Sequence, residues 1–289
     1  MNSRWTKLIS QSGNIRIVAV EAATLISEIS SRHSLTVDLT QGIGEATLAG
    51  LLIASSHKSG ERVNLSIQSS GKWKQAVVDA YPEGYARGFI SAGKPGDWQT
   101  TGRGPWGNGL ITVLHTKSSE GNRPYSGTVA LETGFLEQDL AFYWNQSEQI
   151  PSVVGMHVTV DANGLTNARA VMAQAITGIT EDELKKLENS LEKLQKLAAT
   201  DLTDLSAKVQ KIFGGEKFTL VEDTPLEFRC NCSAEKVEEA LLLTGAEDLR
   251  YMLGDRDNIE VKCDFCSQKY TLNRAKVQDL LRRMSRGNA

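Results

Sequence analysis

Cys230-Asn231-Cys232 and Cys263-Asp264-Phe265-Cys266 hold every cysteine of the 289-residue chain, with thirty residues between the two pairs. Spacing of this kind builds metal sites. A C-x-x-C turn sets two thiolates on one side of an ion, and a C-x-C pair supplies two more from an extended segment. Zinc takes four soft ligands in a tetrahedron with bonds of about 2.3 Å, and four thiolates leave no open position. The pattern therefore predicts a structural site and not a hydrolytic one. A secreted, disulfide-built protein would spread its cysteines along the chain. Zinc-bound cysteine is also thiolate, the form that oxidants attack, and a module that folds on a metal unfolds when the metal goes. The residues alone permit either a static staple or a redox switch.

The rest of the chain sorts around this module. Residues 228–289 offer few apolar side chains, among them Val237, Leu241, Leu249, Leu253, Ile259, Leu272, Val277 and Leu280. A segment of roughly 60 residues with so small a core needs a staple. In residues 179–227, Thr180 and Glu183 make a capping box. Leu184, Leu187, Leu191, Leu194 and Leu197 then recur among Glu and Lys, which predicts one amphipathic helix with a narrow apolar stripe. A second, short helix from Asp204 to Phe213 ends at Gly214-Gly215. Such a stretch holds no core of its own, so it must lie on a neighbour or melt.

Residues 1–178 are expected to be the large domain. Gly13-Asn14 reads as a hairpin turn before a strand from Ile15. Ala22–Arg32 and Thr40–Ser55 read as helices. Val63–Gln68, Ala76–Ala80, Ala86–Ile90, Leu110–Thr116, Ser126–Leu131 and Leu140–Trp144 read as strands. Strands and helices do not alternate regularly, so the expected fold is α+β. It comprises a large N-terminal domain with a mixed or antiparallel sheet and helices, a helical linker, and a small C-terminal zinc-binding module.

Composition excludes little. The chain is 40% hydrophobic and 23% charged with a net charge of -3, which gives no global support for nucleic-acid binding. Lys269 to Arg286 is locally basic through Arg274, Lys276, Arg282 and Arg283, so a zinc-ribbon nucleic-acid adaptor with a static metal is the rival reading. A solvated helix face is the plainer account. Gly102-x-Gly104-x-x-Gly107 formally matches a dinucleotide fingerprint, but Pro105 and Trp106 interrupt it and a strand follows, so it reads as a glycine-rich loop. His33, His57, His115 and His157 are scattered singly and take ordinary surface or core roles. No Gly-x-Ser-x-Gly, His-Glu-x-x-His or Walker loop is present, so no enzyme is predicted. A thiol oxidoreductase would set Cys263 and Cys266 at a helix N-terminus, whereas Ile259–Lys262 and Tyr270–Leu272 frame them as a hairpin turn. The first residues lack a charged region followed by an apolar run, and Ala46–Ala54 is too short to span a bilayer. A soluble, cytoplasmic protein is expected.

The sequence closely resembles the 33 kDa chaperonin family of redox-regulated bacterial heat-shock holdases. C-x-C followed about thirty residues later by C-x-x-C is that family's signature, and Cys230, Cys232, Cys263 and Cys266 match it one for one. Ser147-Glu148-Gln149-Ile150-Pro151, preceded by Phe142-Tyr143-Trp144, resembles its aromatic-plus-SEQIP segment. Glu227-Phe228-Arg229-Cys230 resembles its approach to the first pair, and Arg32-His33 and Gly107 to Thr112 fit its N-terminal domain. Family members carry a Gly-Gly pair and a later Gln-x-x-Pro where this chain reads Ala168 to Ile176, keeping only Gln174. The resemblance implies one Zn²⁺ per reduced chain on the four cysteines. It implies that oxidation under unfolding conditions forms Cys230–Cys232 and Cys263–Cys266 disulfides and releases zinc. It further implies ATP-independent holding of unfolding client proteins and a homodimer when active; no membrane partner is expected, and the net charge makes nucleic acid a poor one. In these terms 1–178 is a core chaperone domain, 179–227 a helical linker and 228–289 a zinc and redox-switch domain.

Overall fold

The computed structural model describes residues 3–93, 102–117, 124–176 and 178–286. The chain runs β1 (Arg4–Ser10), β2 (Ile15–Glu21), α1 (Ala23–His33), α2 (Val37–Ala54), β3 (Glu61–Ser69), β4 (Trp73–Tyr81), β5 (Tyr85–Ala92), β6 (Gly109–Lys117), β7 (Tyr125–Ala130) and α3 (Leu136–Tyr143). A π-helical turn, Trp144–Glu148, leads to β8 (Ser152–Asp161) and β9 (Gly164–Ala175), then α4 (Glu181–Glu188), α5 (Leu191–Ala199), α6 (Leu205–Ile212), β10 (Phe218–Pro225) and β11 (Glu227–Phe228). The chain divides between Arg229 and Cys230 into two compact units. The second holds α7 (Ala234–Thr244), α8 (Ala246–Leu253), β12 (Asn258–Lys262), β13 (Lys269–Asn273) and α9 (Arg274–Arg286). The architecture is α+β. Among the described residues no helix is long and apolar enough to cross a membrane.

The first unit has two sheets. One has the order β10-β1-β2-β9-β8, antiparallel throughout; the other is β11-β5-β4-β3-β6-β7, antiparallel except for β11 beside β5. Helix α2 is buried along most of its length, from Thr40 to Ala54, with its side chains in the core that both sheets share. A helix apolar on all sides belongs in an interior.

Strands β2 and β9 are apolar on both faces. Val18 and Val20 of β2, with Ala168, Ala170 and Met172 of β9, join the core around α1 and α2. Their alternate neighbours Ile15, Ile17, Ala19, Val171, Ala173 and Ala175 point the other way into a second core. That second core is completed by Leu187, Leu194, Leu197, Ala198, Leu205, Val209 and Phe213 from α4 to α6 and the turn that follows. A sheet face of this kind is stable only when covered. Each leucine buried there contributes about 2 kcal/mol.

The linker differs from a single helix. The capping box at Thr180 and Glu183 is present, but Asn189-Ser190 breaks the run. Ser190 is buried, and its hydroxyl donates to the Leu187 carbonyl at 2.6 Å, closing the turn locally instead of extending it. The stripe therefore shifts, and Leu191 faces solvent while Leu187, Leu194 and Leu197 are buried. Helix α5 comes close enough to β8 that a Cβ on Gly155 would lie 2.6 Å from the Leu194 backbone.

Beyond α6 the chain returns to strand. Strand β10 pairs with β1, supported by Arg4–Asp223 at 2.5 Å and Lys7–Glu222 at 2.6 Å. Leu226 is buried and its N–H donates to the Ser3 carbonyl at 2.8 Å. Strand β11 then lies parallel to β5, and the Arg229 N–H donates to the Ala86 carbonyl at 3.2 Å. Arg32 covers the Phe228 ring at 4.4 Å. Gly84 makes room for this crossing: its φ is +91°, and a Cβ there would stand 2.3 Å from the Pro225 carbonyl oxygen. Residues 218–229 thus stitch the edge of one sheet to the edge of the other.

Two further readings change. Leu140–Trp144 is not a strand; it ends α3 and begins the π turn. Leu136, Leu140 and Tyr143 fall on one buried helical face, and Asp139 accepts backbone N–H bonds from Glu132, Thr133 and Gly134 at 2.8 to 3.0 Å. A short apolar run fits either period, and here the loop contacts of Asp139 decide. Strands β8, β9, β10 and β11 carried no strand expectation.

Gly155→Val should lift α5 from the sheet, because overpacking against backbone costs roughly 1–3 kcal/mol. Amide exchange of Leu191–Ala199 and binding of an apolar dye are expected to rise while zinc content is unchanged. Unaltered exchange in α5 would contradict this packing.

Candidate metal centre

The second unit has a small core of Val237, Leu241, Leu249, Leu253, Ile259, Leu272, Val277 and Leu280. Strands β12 and β13 pair antiparallel from Asn258↔Asn273 to Lys262↔Lys269. The turn between them carries Cys263 and Cys266. The Cys263 N–H donates to the Gln268 carbonyl at 2.9 Å, and the Ser267 N–H donates to the Cys263 carbonyl at 2.9 Å. Ser267 closes that turn with φ of 61°, a left-handed position that few non-glycine residues adopt. Cys230 and Cys232 come from the segment before α7, whose N-cap Ser233 accepts from the Lys236 N–H.

These segments bring the four predicted residues together. All four sulfurs lie within 4.8 Å of one another, and none is in a disulfide. Cys230 Sγ is 3.8 Å from Cys263 Sγ, and Cys232 Sγ is 3.4 Å from Cys266 Sγ. A tetrahedral ion with bonds near 2.3 Å separates its sulfurs by about 3.8 Å, so the cluster fits a zinc-sized cation. The Tyr270 hydroxyl donates to Cys232 Sγ at 3.1 Å, a supporting contact of the kind that orients ligands. Sequence spacing did not single out Tyr270 or Ser267; they lie within four residues of Cys266, on the turn and on β13.

Electrostatics point to the same need for a cation. Burial pushes the Cys263 thiol up, and the neighbouring Cys230 adds to this, against backbone N–H groups of Phe265 and Cys266 that favour thiolate. Burial likewise raises Cys266, against the Gln268 amide. Four clustered sulfurs do not all ionise without a positive charge among them.

The other singled-out residues fare differently. Gly102 to Gly107 lie in the loop before β6, and no helix opens after them. The basic residues of α9 have partners: Lys276 Nζ meets Glu238 Oε1 at 2.8 Å, Arg283 lies 3.7 Å from Glu238, and Arg274 donates to the Gly254 and Arg256 carbonyls at 2.9 and 2.6 Å. The histidines are not all single, because His57 and His115 stack with ring centroids 4.4 Å apart.

Fold and site define an α+β protein of two units, with four cysteines gathered in the smaller one. Residues 3–273 match the family profile described as Hsp33 protein. The chain belongs to the Hsp33 family. It is 28% identical over 286 residues to the 33 kDa chaperonin of Lactococcus lactis, covering 96% of this chain and 98% of the relative. A 33 kDa chaperonin of Streptococcus pyogenes is 28% identical over 284 residues, covering 95% and 97%. The crystal structure of a 33 kDa chaperonin from Thermotoga maritima superimposes with a TM-score of 0.85 at 24% identity, over 99% of this chain and 100% of that one.

Cys263→Ala should abolish tight zinc binding and unfold residues 230–286, because a small core without its staple is marginal. Helix and strand signals of residues 3–229 should persist in an NMR spectrum. A folded second unit in metal-free protein would contradict this.

Proposed function

We propose that this chain is a redox-regulated, ATP-independent molecular chaperone, a holdase that keeps unfolding and oxidatively damaged proteins from aggregating. It acts in the cytoplasm and is not an enzyme. The observation that carries the reading is the cluster of four sulfurs in a unit with little else to hold it together. Cys230, Cys232, Cys263 and Cys266 are the metal ligands, one Zn²⁺ per chain. When bound, zinc neutralises the thiolates and cross-links the two cysteine segments.

In the reduced state the four sulfurs hold β12, β13 and the start of α7 in register, and α4 to α6 cover the aliphatic face of β2 and β9. Oxidation pairs Cys230 with Cys232 and Cys263 with Cys266. Each pair of thiolates gives up two electrons and forms one S–S bond; one hydrogen peroxide takes up those electrons with two protons from solvent and leaves as two waters. No metal ligands remain, and the second unit loses its staple. Under unfolding conditions α4 to α6 then leave the sheet, exposing Ile15, Ile17, Val171 and Ala173 together with the leucine stripe as a surface for apolar client segments. The active form is a homodimer. The rival reading, a nucleic-acid adaptor, draws little support, since Arg274, Lys276 and Arg283 are engaged within the unit.

The test oxidises zinc-loaded protein with peroxide at raised temperature and follows light scattering of an aggregating client. Suppression is expected near one protein per client, with zinc release, and only after oxidation. Zinc release without suppression would sink the proposal.

A further inference from the structure

His57, just after α2, and His115, on β6, form a half-buried pair of rings, tilted by 36°, that the cysteine chemistry does not use. His57 Nδ1–H donates to Glu61 Oε2 at 2.9 Å, and Lys117 Nζ lies 3.1 Å from the other oxygen of Glu61. The His115 side chain is only 10% exposed. Its Nε2 lies 3.2 Å from the Tyr143 hydroxyl, which itself donates to Glu148 Oε1 at 2.7 Å. Tyr143 therefore accepts from His115 Nε2–H. That leaves His115 Nδ1 as a lone pair, sealed from solvent and without a partner. The Tyr125 ring stacks on His115 at 5.9 Å, and Glu148 Oε1 is 4.0 Å from Nε2. Arg16 of β2 lines a cavity of about 380 Å³ beside His57, Tyr143 and Glu148.

This surrounding satisfies neutral His115 and not its cation. A proton on Nδ1 would create a buried N–H with no acceptor and a positive charge against the His57 ring. Burial, then His57, lowers the proton affinity of His115, while Glu148 and Glu61 oppose them.

The groups that His115 touches hold a junction in place. The Tyr143–Glu148 bond closes the π turn Trp144–Glu148. Gln149 leaves the turn with φ of 55°, and the Ile150 N–H returns to the Trp144 carbonyl at 2.9 Å. The Pro151 carbonyl accepts from the Ala175 N–H at 2.9 Å, at the last residue of β9, shortly before the linker begins.

We propose that the His57–His115 stack is an acid-operated latch on the Trp144–Pro151 turn: protonation of His115 opens the turn and loosens the root of the linker with no change at the cysteines. The closed state excludes a proton that the open state accepts. Stability of the closed turn is therefore full above the ordinary imidazole range and is lost as pH falls, by up to about tenfold in the opening constant per pH unit below about 6.5. The latch stands on these contacts alone; its bearing on client holding rests on the function proposed above.

Amide exchange and histidine ring resonances of reduced, zinc-loaded, full-length protein, followed by NMR from about pH 8 to 5 with zinc monitored, test it. After correction for intrinsic exchange, protection of residues 144–156 should be flat above about pH 7. It should fall about tenfold per pH unit below about pH 6 and level off once the pH is low enough for the His115 ring of the closed state to take up its own proton. His115→Gln, which keeps a donor toward Tyr143 and cannot be charged, should hold its protection within about twofold. Flat wild-type protection, a His115 titration that leaves the turn unmoved, a fall that follows zinc release instead, or an unchanged fall in His115→Gln would each overturn the latch. If that variant does not fold, the wild-type titration decides alone. Client light scattering at about pH 5.5, with and without peroxide, reads the function separately: an open turn with no client protection even after oxidation counts against the holdase reading and leaves the latch standing.

Discussion

The structure turns on one packing constraint: β2 and β9 carry aliphatic side chains on both faces, and neither face tolerates water. Helix α2 and both sheets enclose one face permanently, through Val18, Val20 and Met172. The other face is covered only by α4 to α6, a segment rich in Glu and Lys with one apolar side. The same residues that stabilise the resting fold would be adhesive if uncovered. In an amphipathic cover the solvent-facing charges supply solubility and the few leucines supply hold, so the cover is strong enough to close and weak enough to leave.

Metal dependence in the second unit answers a different shortage. Among the described residues its buried core has eight aliphatic side chains, with the Tyr270 ring only partly buried against them. A sulfur cluster supplies on the order of 10 kcal/mol of folding free energy when it binds zinc, which exceeds the roughly 3–5 kcal/mol of net stability that so small a core yields once chain entropy is counted. Stability is thereby concentrated in four atoms that share one chemical weakness. A larger core would have made oxidation of those atoms inconsequential.

Legibility in the sequence followed the range of the interactions. The cysteine ligands were readable because a rare residue recurs at short spacing and the turn between β12 and β13 is local. The capping box at Thr180 and the stop at Gly214-Gly215 were readable for the same reason. The break at Ser190 was not, since it depends on a hydroxyl turning back to Leu187 instead of to water. Strand β10 was missed because Thr219, Glu222, Asp223 and Thr224 give an edge strand no apolar alternation; its partners Arg4 and Lys7 lie at the far end of the chain. The histidine stack was invisible for a related reason. It requires the register that sets Val63 opposite His115, and no local pattern encodes a register.

The return of the chain along β10 and β11 has a mechanical corollary. Helices α4 to α6 are a loop tied down at both ends, by β9 on one side and by β10 on the other. A tether that ends in the core does not go slack when something beyond it is cut. Collapse of the cysteine unit would stop at Arg229, where the backbone is still bonded to Ala86, and the cover would stay shut. Freeing it takes a second, thermal event at the tether itself, so the topology behaves as a two-key lock: damage to sulfur turns one key, and loosening of the sheet edge turns the other.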